Sequence, residues 1–229
     1  MREFLLILIV FISWGVNANS LQTGVDKTSN KIIIGIDEKV SGKHLHEYAN
    51  MWWQWTRTMN KKESPVIDRI GDKCGVNQNG SVWFLAGGYG SSKISRRCTI
   101  PEGKYIFFPI INMAYWPRQG SSITCEGVKN RAALNNDNLL LVNAELDGKK
   151  IPDVRKYRIQ SEKCFDLLGL IPKKFNAPKV FPSATDGYWL MLKPLTKGQH
   201  KLKFSAQYNR ANGAFGQMAQ DIEYEIKVK

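Results

Sequence analysis

The chain has 229 residues, of which 43% are hydrophobic and 23% charged, ordinary values for a globular protein. They exclude a disordered tail, a collagen-like fibre and a coiled coil. The 33 Lys and Arg residues against 20 Asp and Glu give a net charge of +13, a basic balance that favours anionic surroundings.

The N-terminus carries an address. Arg2 precedes an apolar run from Phe4 to Ile12, and Val16 and Ala18 suit the −3 and −1 positions of a cut. This is the pattern of a secretory signal peptide over residues 1–18. The run is too short to cross about 30 Å of hydrocarbon comfortably. Removal takes away one Arg and one Glu, so the expected mature chain keeps its +13. No later apolar stretch is long enough to span a membrane, so no transmembrane segment is expected after cleavage. The expected location is the periplasm or the medium.

Residues 19–30 are polar and rich in Thr, Ser and Asn, and read as a loose leader. From residue 31 to 229 a single β-sandwich domain is expected. Lys31 to Ile36 is β-branched and predicts a strand. About 43–60 predicts an α-helix, because Leu45, Tyr48, Ala49, Trp52, Trp55 and Met59 recur at three- and four-residue spacing. Ser41 is the expected N-cap, and Lys61, Lys62 and Pro65 mark the end.

Beyond Pro65 the pattern turns to β. Ser81 to Ala86 and Tyr105 to Ile111 are nearly all apolar, as in strands buried on both faces. Pro109 requires an edge or a bulge in the second of them. Arg96 to Ile100 reads as a strand between them, and Asn130 to Asn138 as a short helix. Leu139 to Leu146 leads into Asp147-Gly148 and then Lys149 to Ile151, a strong hairpin signal. Lys156 to Ser161 is a further strand. Residues 201–208 and 221–228 alternate apolar and polar with period two, which predicts half-buried antiparallel strands. The expected fold class is mainly β: an antiparallel sandwich, immunoglobulin-like or jelly-roll-like, with one amphipathic helix packed on it.

Four cysteines, Cys74, Cys98, Cys125 and Cys164, form an even set in an exported chain and read as disulfides. Three pairings are possible. Neighbour pairing, Cys74 with Cys98 and Cys125 with Cys164, is favoured because each loop brackets a predicted turn. A zinc site has little support: no C-x-x-C occurs and no His lies near a Cys. His44 and His46 are two apart, the wrong spacing to face one another on a helix. His44, Glu47 and His200 are a weaker metal set, so no metal or cofactor is assigned.

One set of strings resembles a known family: Trp52-Trp53-Gln54-Trp55, Asp68-x-x-Gly71-x-x-Cys74, Val82-Trp83-Phe84-Leu85-Ala86-Gly87, Arg96-x-Cys98, Pro101-x-Gly103-Lys104 and Phe107-Phe108-Pro109-Ile110-Ile111-Asn112. Asp186-Gly187-Tyr188-Trp189 and Gly198-x-His200 extend it. Over about residues 45–229 the chain is similar to a family of exported bacterial proteins of unknown activity. The resemblance implies export, a β-rich fold and a Cys74–Cys98 bridge, and supplies no catalytic residue.

Catalytic patterns are wanting. No Gly-x-Ser-x-Gly occurs, and no spacing selects a pair of carboxylates for glycosidase work. The glycines at 87, 88 and 90 lack the Gly-Lys-Ser/Thr of a phosphate loop. The Lys and Arg residues occur singly or in doublets without a nucleic-acid docking motif, so specific nucleic-acid recognition is not expected.

Aromatic residues in loops remain as candidate contacts. Tyr89, Tyr115 and Trp116 lie in loops rich in Gly and Ser, Trp116 precedes Pro117 and Arg118, and Trp53 falls off the helix stripe. The leading expectation is an exported protein that binds an envelope or extracellular ligand without catalysis, its partner an anionic envelope polymer or another protein. One alternative is a secreted hydrolase with a site between helix and sheet at His44, Glu47 or Asp186. Another is an inhibitor or immunity-type protein that blocks one protein partner.

Overall fold

The computed structural model describes residues 32–90, 92–208 and 216–229. The expected signal peptide and polar leader, and Lys31 of the first expected strand, lie outside the described residues. Within them the chain is mainly β and carries two α-helices.

A two-residue ladder, β1 (Lys39–Val40) and β2 (Lys43–His44), leads directly into α1 (Leu45–Arg57). The strands that follow are β3 (Val82–Phe84), β4 (Ser92–Ile100) and β5 (Tyr105–Tyr115). Helix α2 (Cys125–Ala133) precedes β6 (Leu139–Leu146), β7 (Lys149–Lys150) and β8 (Arg158–Gln160). The chain ends with β9 (Ala184–Leu192), β10 (Gly198–Tyr208) and β11 (Met218–Val228). Two larger sheets result, ordered β4-β11-β10-β6-β7 and β3-β5-β9-β8.

Both sheets are mixed, which corrects the antiparallel expectation: β4 runs parallel to β11, and β3 parallel to β5. Period-two patterning reports which face of a strand is buried. It does not report the direction of the neighbour.

One cluster of buried side chains joins the sheets, with Ile106, Phe108 and Leu190 from one and Leu202, Phe204 and Ile222 from the other. The opposite face of β5 and β9 carries Phe107, Trp189 and Met191, which pack with α1 in a second cluster. All nine residues of β9 are therefore buried. Phe107 and Trp189 stack with ring centroids 5.3 Å apart.

Four consecutive residues of α1 anchor it around its whole circumference. The Trp52 indole N–H donates to the Leu85 carbonyl (2.9 Å), and that of Trp53 to Thr185 Oγ1 (2.8 Å). The Gln54 side-chain amide donates to the Asp166 carbonyl (2.8 Å), and the Trp55 indole to that of Val76 (3.0 Å). Successive helical residues turn by about 100°, so a one-sided apolar stripe describes α1 incompletely. Trp53, off that stripe, is buried as well.

Several local expectations need correction. Ser41 does not cap α1; it sits at φ 48° in the β1–β2 turn, and His44 is the N-cap. The Glu47 carboxylate accepts the His44 backbone N–H (2.8 Å). The helix stops at Arg57 because the Thr58 N–H and hydroxyl both turn back to the Trp55 carbonyl. The described part of the strand expected over 31–36 makes only a single bridge, Ile33 with Leu192, before the chain turns at Gly35 with Glu38. The short helix expected over 130–138 begins earlier, at Cys125, capped by the Thr124 hydroxyl, which accepts the Gly127 N–H. Pro109 lies at a bulge, where the β5–β9 register shifts between Pro109 and Ile111.

Both disulfides follow the neighbour pairing, with sequence separations of 24 for Cys74–Cys98 and 39 for Cys125–Cys164. By chain entropy each stabilises the fold by about 3–4 kcal/mol. The first ties the 64–76 segment to β4. The second holds α2 against the chain that follows β8.

Arg96 of β4 is 1% exposed, and among the described residues no carboxylate bonds its guanidinium. Its Nε donates to the Asp68 carbonyl (2.7 Å), Nη1 to the Ala86 carbonyl (2.7 Å) and the Tyr224 hydroxyl (2.9 Å), and Nη2 to the Val66 carbonyl (3.3 Å). Tyr224 in turn accepts the Ala86 N–H (3.1 Å). The Asp68 carboxylate organises the same segment by accepting N–H groups of Ile70, Gly71 and Lys73. Partial burial works to raise its pKa. The three donors and the nearby Arg96 charge outweigh burial and hold it below the ordinary carboxylate value.

His200 joins β10 to the β6–β7 hairpin. Asp147 and Gly148 both have positive φ (51° and 78°), as a two-residue hairpin of the I′ kind requires. The Asp147 carboxylate meets His200 Nδ1 (2.8 Å) and accepts the Lys201 N–H (2.7 Å); His200 Nε2 lies 2.8 Å from the Thr196 carbonyl. Burial lowers the imidazole pKa, but Asp147 and Thr196 outweigh it, and the folded-state value lies above the ordinary 6.5. A raised histidine pKa stabilises the fold fully below the unfolded value, and that contribution fades as pH rises through the folded one. His200→Asn is therefore expected to cost on the order of 1 kcal/mol at pH 5 and less at pH 9. Urea unfolding at the two pH values reads the difference, and a cost that grows with pH contradicts the assignment.

Candidate functional site

A cleft of about 470 Å³ opens where α1, the glycine turn after β3, the C-terminal half of β5 and the β10–β11 end of the larger sheet converge. The size is typical of a small-molecule site. The local chemistry of each wall explains its position.

The first wall is α1, which presents Trp52, Trp53 and Arg57. Trp53 packs edge-on against Trp52 (centroids 5.4 Å, 83°) and tilted against Trp116 (6.5 Å, 60°). Its indole bond to Thr185 is backed by Thr185 Oγ1 donating to the Met113 carbonyl (2.6 Å). This relay fixes α1 to β9 and β5 at the cleft floor.

The second wall is the turn Gly87–Gly90, which carries Tyr89. Gln220 of β11, only 3% exposed, holds it. The Gln220 carbonyl oxygen accepts the Gly88 N–H (2.7 Å), and its amide donates to the carbonyls of Gly88 (2.9 Å) and Gly90 (3.0 Å). One side chain thus satisfies three backbone groups of a turn that has no ladder of its own.

The third wall is β5 from Pro109 to Tyr115, continuing into Trp116. The bulge at Pro109 shifts the pairing register part-way along this wall. Tyr208 and Met218 close the far end. The Tyr208 hydroxyl lies 3.1 Å from Met113 Sδ and 3.2 Å from Met218 Sδ. Burial pushes its pKa up to about 12, so the phenol is neutral at physiological pH.

Of the five aromatic and basic candidates, the structure brings Trp53, Tyr89, Tyr115 and Trp116 to this one cleft. Tyr89 is 55% and Trp116 37% exposed, large apolar surfaces left open to solvent. Arg118 is exposed and does not line the cleft. The cation beside Trp116 is instead Arg57, whose guanidinium lies 5.0 Å from the ring centroid. Arg57 follows Trp53 by four positions on the same helix, a spacing that places both on one face and was readable in the sequence. Asn112, Tyr208, Met218 and Gln220 had no such signal, because their partners lie far away in the chain.

The hydrolase candidates lie outside the cleft. Glu47 accepts the His44 N–H at the start of α1. The His44 and His46 rings stack, and His46 faces Glu162 at 3.2 Å. Asp186 sits on β9 under Arg158, whose Nε and Nη2 reach both carboxylate oxygens at 3.1–3.3 Å. Burial drives its pKa up, Arg158 opposes this, and the value settles at about 6. Its partner Arg158 also bonds Asp137 (2.6 Å), so the set reads as a structural ion cluster on β8 and β9. Among the described residues no group of three or more His, Cys, Asp or Glu side chains is placed to hold a metal ion.

No family model, curated protein or solved structure matches the chain.

Gln220→Ala removes the three bonds that pin the glycine turn. Backbone hydrogen exchange over residues 87–90 is expected to accelerate at least about tenfold, the equivalent of one lost hydrogen bond. Unchanged exchange in that segment means that the turn is held by something else.

Proposed function

We propose that the protein is an exported, disulfide-stabilised β protein that binds an envelope or extracellular ligand in the cleft formed by Trp53, Tyr89, Tyr115 and Trp116, without catalysing a reaction there. The observation that carries this reading is the convergence of aromatic side chains from α1, the glycine turn and β5 on one cavity of about 470 Å³. Its open rim leaves Tyr89 and Trp116 partly bare.

Other features support the setting. Two disulfides suit an oxidising compartment. Among the described residues no helix is long and apolar enough to cross a membrane. The net charge of +13 would concentrate the protein near an anionic envelope. Binding is favoured over hydrolysis because His44, Glu47 and Asp186 are engaged elsewhere and contribute nothing to the cleft wall.

Co-sedimentation of the mature, oxidised protein with isolated cell envelope tests the reading. Binding should persist at physiological salt, because apolar contact is not screened as charge is. The double variant Tyr89→Ala/Trp116→Ala, which changes two exposed side chains, should weaken it about tenfold or more while the unfolding midpoint holds. Binding that vanishes between low and physiological salt, or that the double variant leaves intact, removes the cleft from the account.

A further inference from the structure

The cleft's polar atoms specify the ligand further. Resting on the reading above, we infer that the cleft takes an amphiphilic organic acid: an apolar chain or ring against Trp53 and Trp116, with its carboxylate at Arg57.

The unpartnered buried polar atoms among the lining residues are both donors. Arg57 Nε and Asn112 Nδ2 are buried and make no hydrogen bond. An unmet buried donor is costly, more so when it is charged, so a ligand that brings acceptor oxygens recovers that cost. Among the described residues Arg57 forms no ion pair with an Asp or Glu, and its guanidinium lies over the Trp116 ring, 5.0 Å from the centroid. A guanidinium over an aromatic ring and without a carboxylate partner can still donate to an incoming carboxylate.

Charge is distributed to match. Beside the aromatic cleft lies a second depression of about 430 Å³, and Arg57 and Tyr89 line both. Thr56, Lys61 and Ser64 also border it. Among the described residues no Asp or Glu lines either depression, which favours an anion there. The aromatic cleft itself carries Met113, Met218, Pro109 and a neutral Tyr208, surroundings that suit hydrocarbon and would leave a second charge unsolvated. One end takes an apolar body and the other a negative head.

Intrinsic tryptophan fluorescence, titrated at pH 7.5 and physiological salt, separates the two parts of this assignment. The probes are decanoate, decan-1-ol and decylamine, which share a chain and differ in the head. Decanoate should bind at least tenfold tighter than decan-1-ol, and decylamine weakest. Arg57→Gln should reduce decanoate to the affinity of the alcohol and leave the alcohol unchanged; Arg57→Lys should keep part of the preference. Unfolding midpoints confirm that both variants fold. Equal affinity for acid and alcohol in the unaltered protein overturns the acid assignment while leaving the cleft reading in place. A preference that survives in Arg57→Gln overturns the role of Arg57. If none of the three probes binds, the amphiphile assignment falls, and the envelope co-sedimentation decides the cleft reading separately.

Discussion

A buried guanidinium holds this fold together at the point where its least regular segment meets its sheets. Arg96 lies on β4, and the parallel register with β11 places it opposite Tyr224. From there it reaches the carbonyls of Val66, Asp68 and Ala86. Placing a charge where it is 1% exposed is costly unless its donors are met. Here four acceptors meet them, all neutral, and the Cys74–Cys98 bridge closes the same segment onto β4. The 64–76 segment is thereby fixed without a strand or helix of its own.

The cleft inherits its shape from that knot. Val66 is both an acceptor for Arg96 and part of the cleft wall, and Ala86 is the residue from which the Gly87–Gly90 turn departs. Four residues beyond Gln220 on β11, Tyr224 fixes the start of the turn while Gln220 fixes its middle. Opposite them, α1 is tied by bonds from residues 52 to 55 to four different segments. Both sides of the cavity are rigidly supported, and the side chains at its mouth are the exposed ones. A site built this way loses little conformational entropy when it is filled.

Much of this was legible in the chain, and the failures have physical causes. The amphipathic spacing located α1 to within a few residues, and period-two alternation located β10 and β11. Asp147-Gly148 formed the hairpin its composition indicates, with positive φ at both residues. Asp186-Gly187 carries the same dipeptide and lies in the middle of β9, a strand that sequence reading missed. At that position the glycine serves close packing: a Cβ there would stand 2.6 Å from Asn112 Cβ and from the Ile111 carbonyl oxygen. The flanking Asp186 is paired with Arg158 in the fold, a partner 28 residues away that local reading cannot supply. Strand direction was also hidden, since a parallel and an antiparallel neighbour leave the same alternation. Trp53, Tyr89, Tyr115 and Trp116, singled out by off-stripe or expected loop positions, line one cleft, with Tyr115 the last residue of β5 rather than in a loop. Arg118, two residues after Trp116 in the chain, does not line the cleft, whereas Arg57 lies over the Trp116 ring.

Trp53 and Trp116 are the proposed contact surface of the ligand site. Indole N–H signals in a two-dimensional nitrogen–proton NMR spectrum of the protein test this residue by residue. On addition of decanoate the Trp53 and Trp116 signals should move together along one saturating curve, while that of Trp83, which does not line the cleft, should stay in place. Movement of Trp83 with Trp53 and Trp116 unmoved would place the ligand elsewhere and contradict the account.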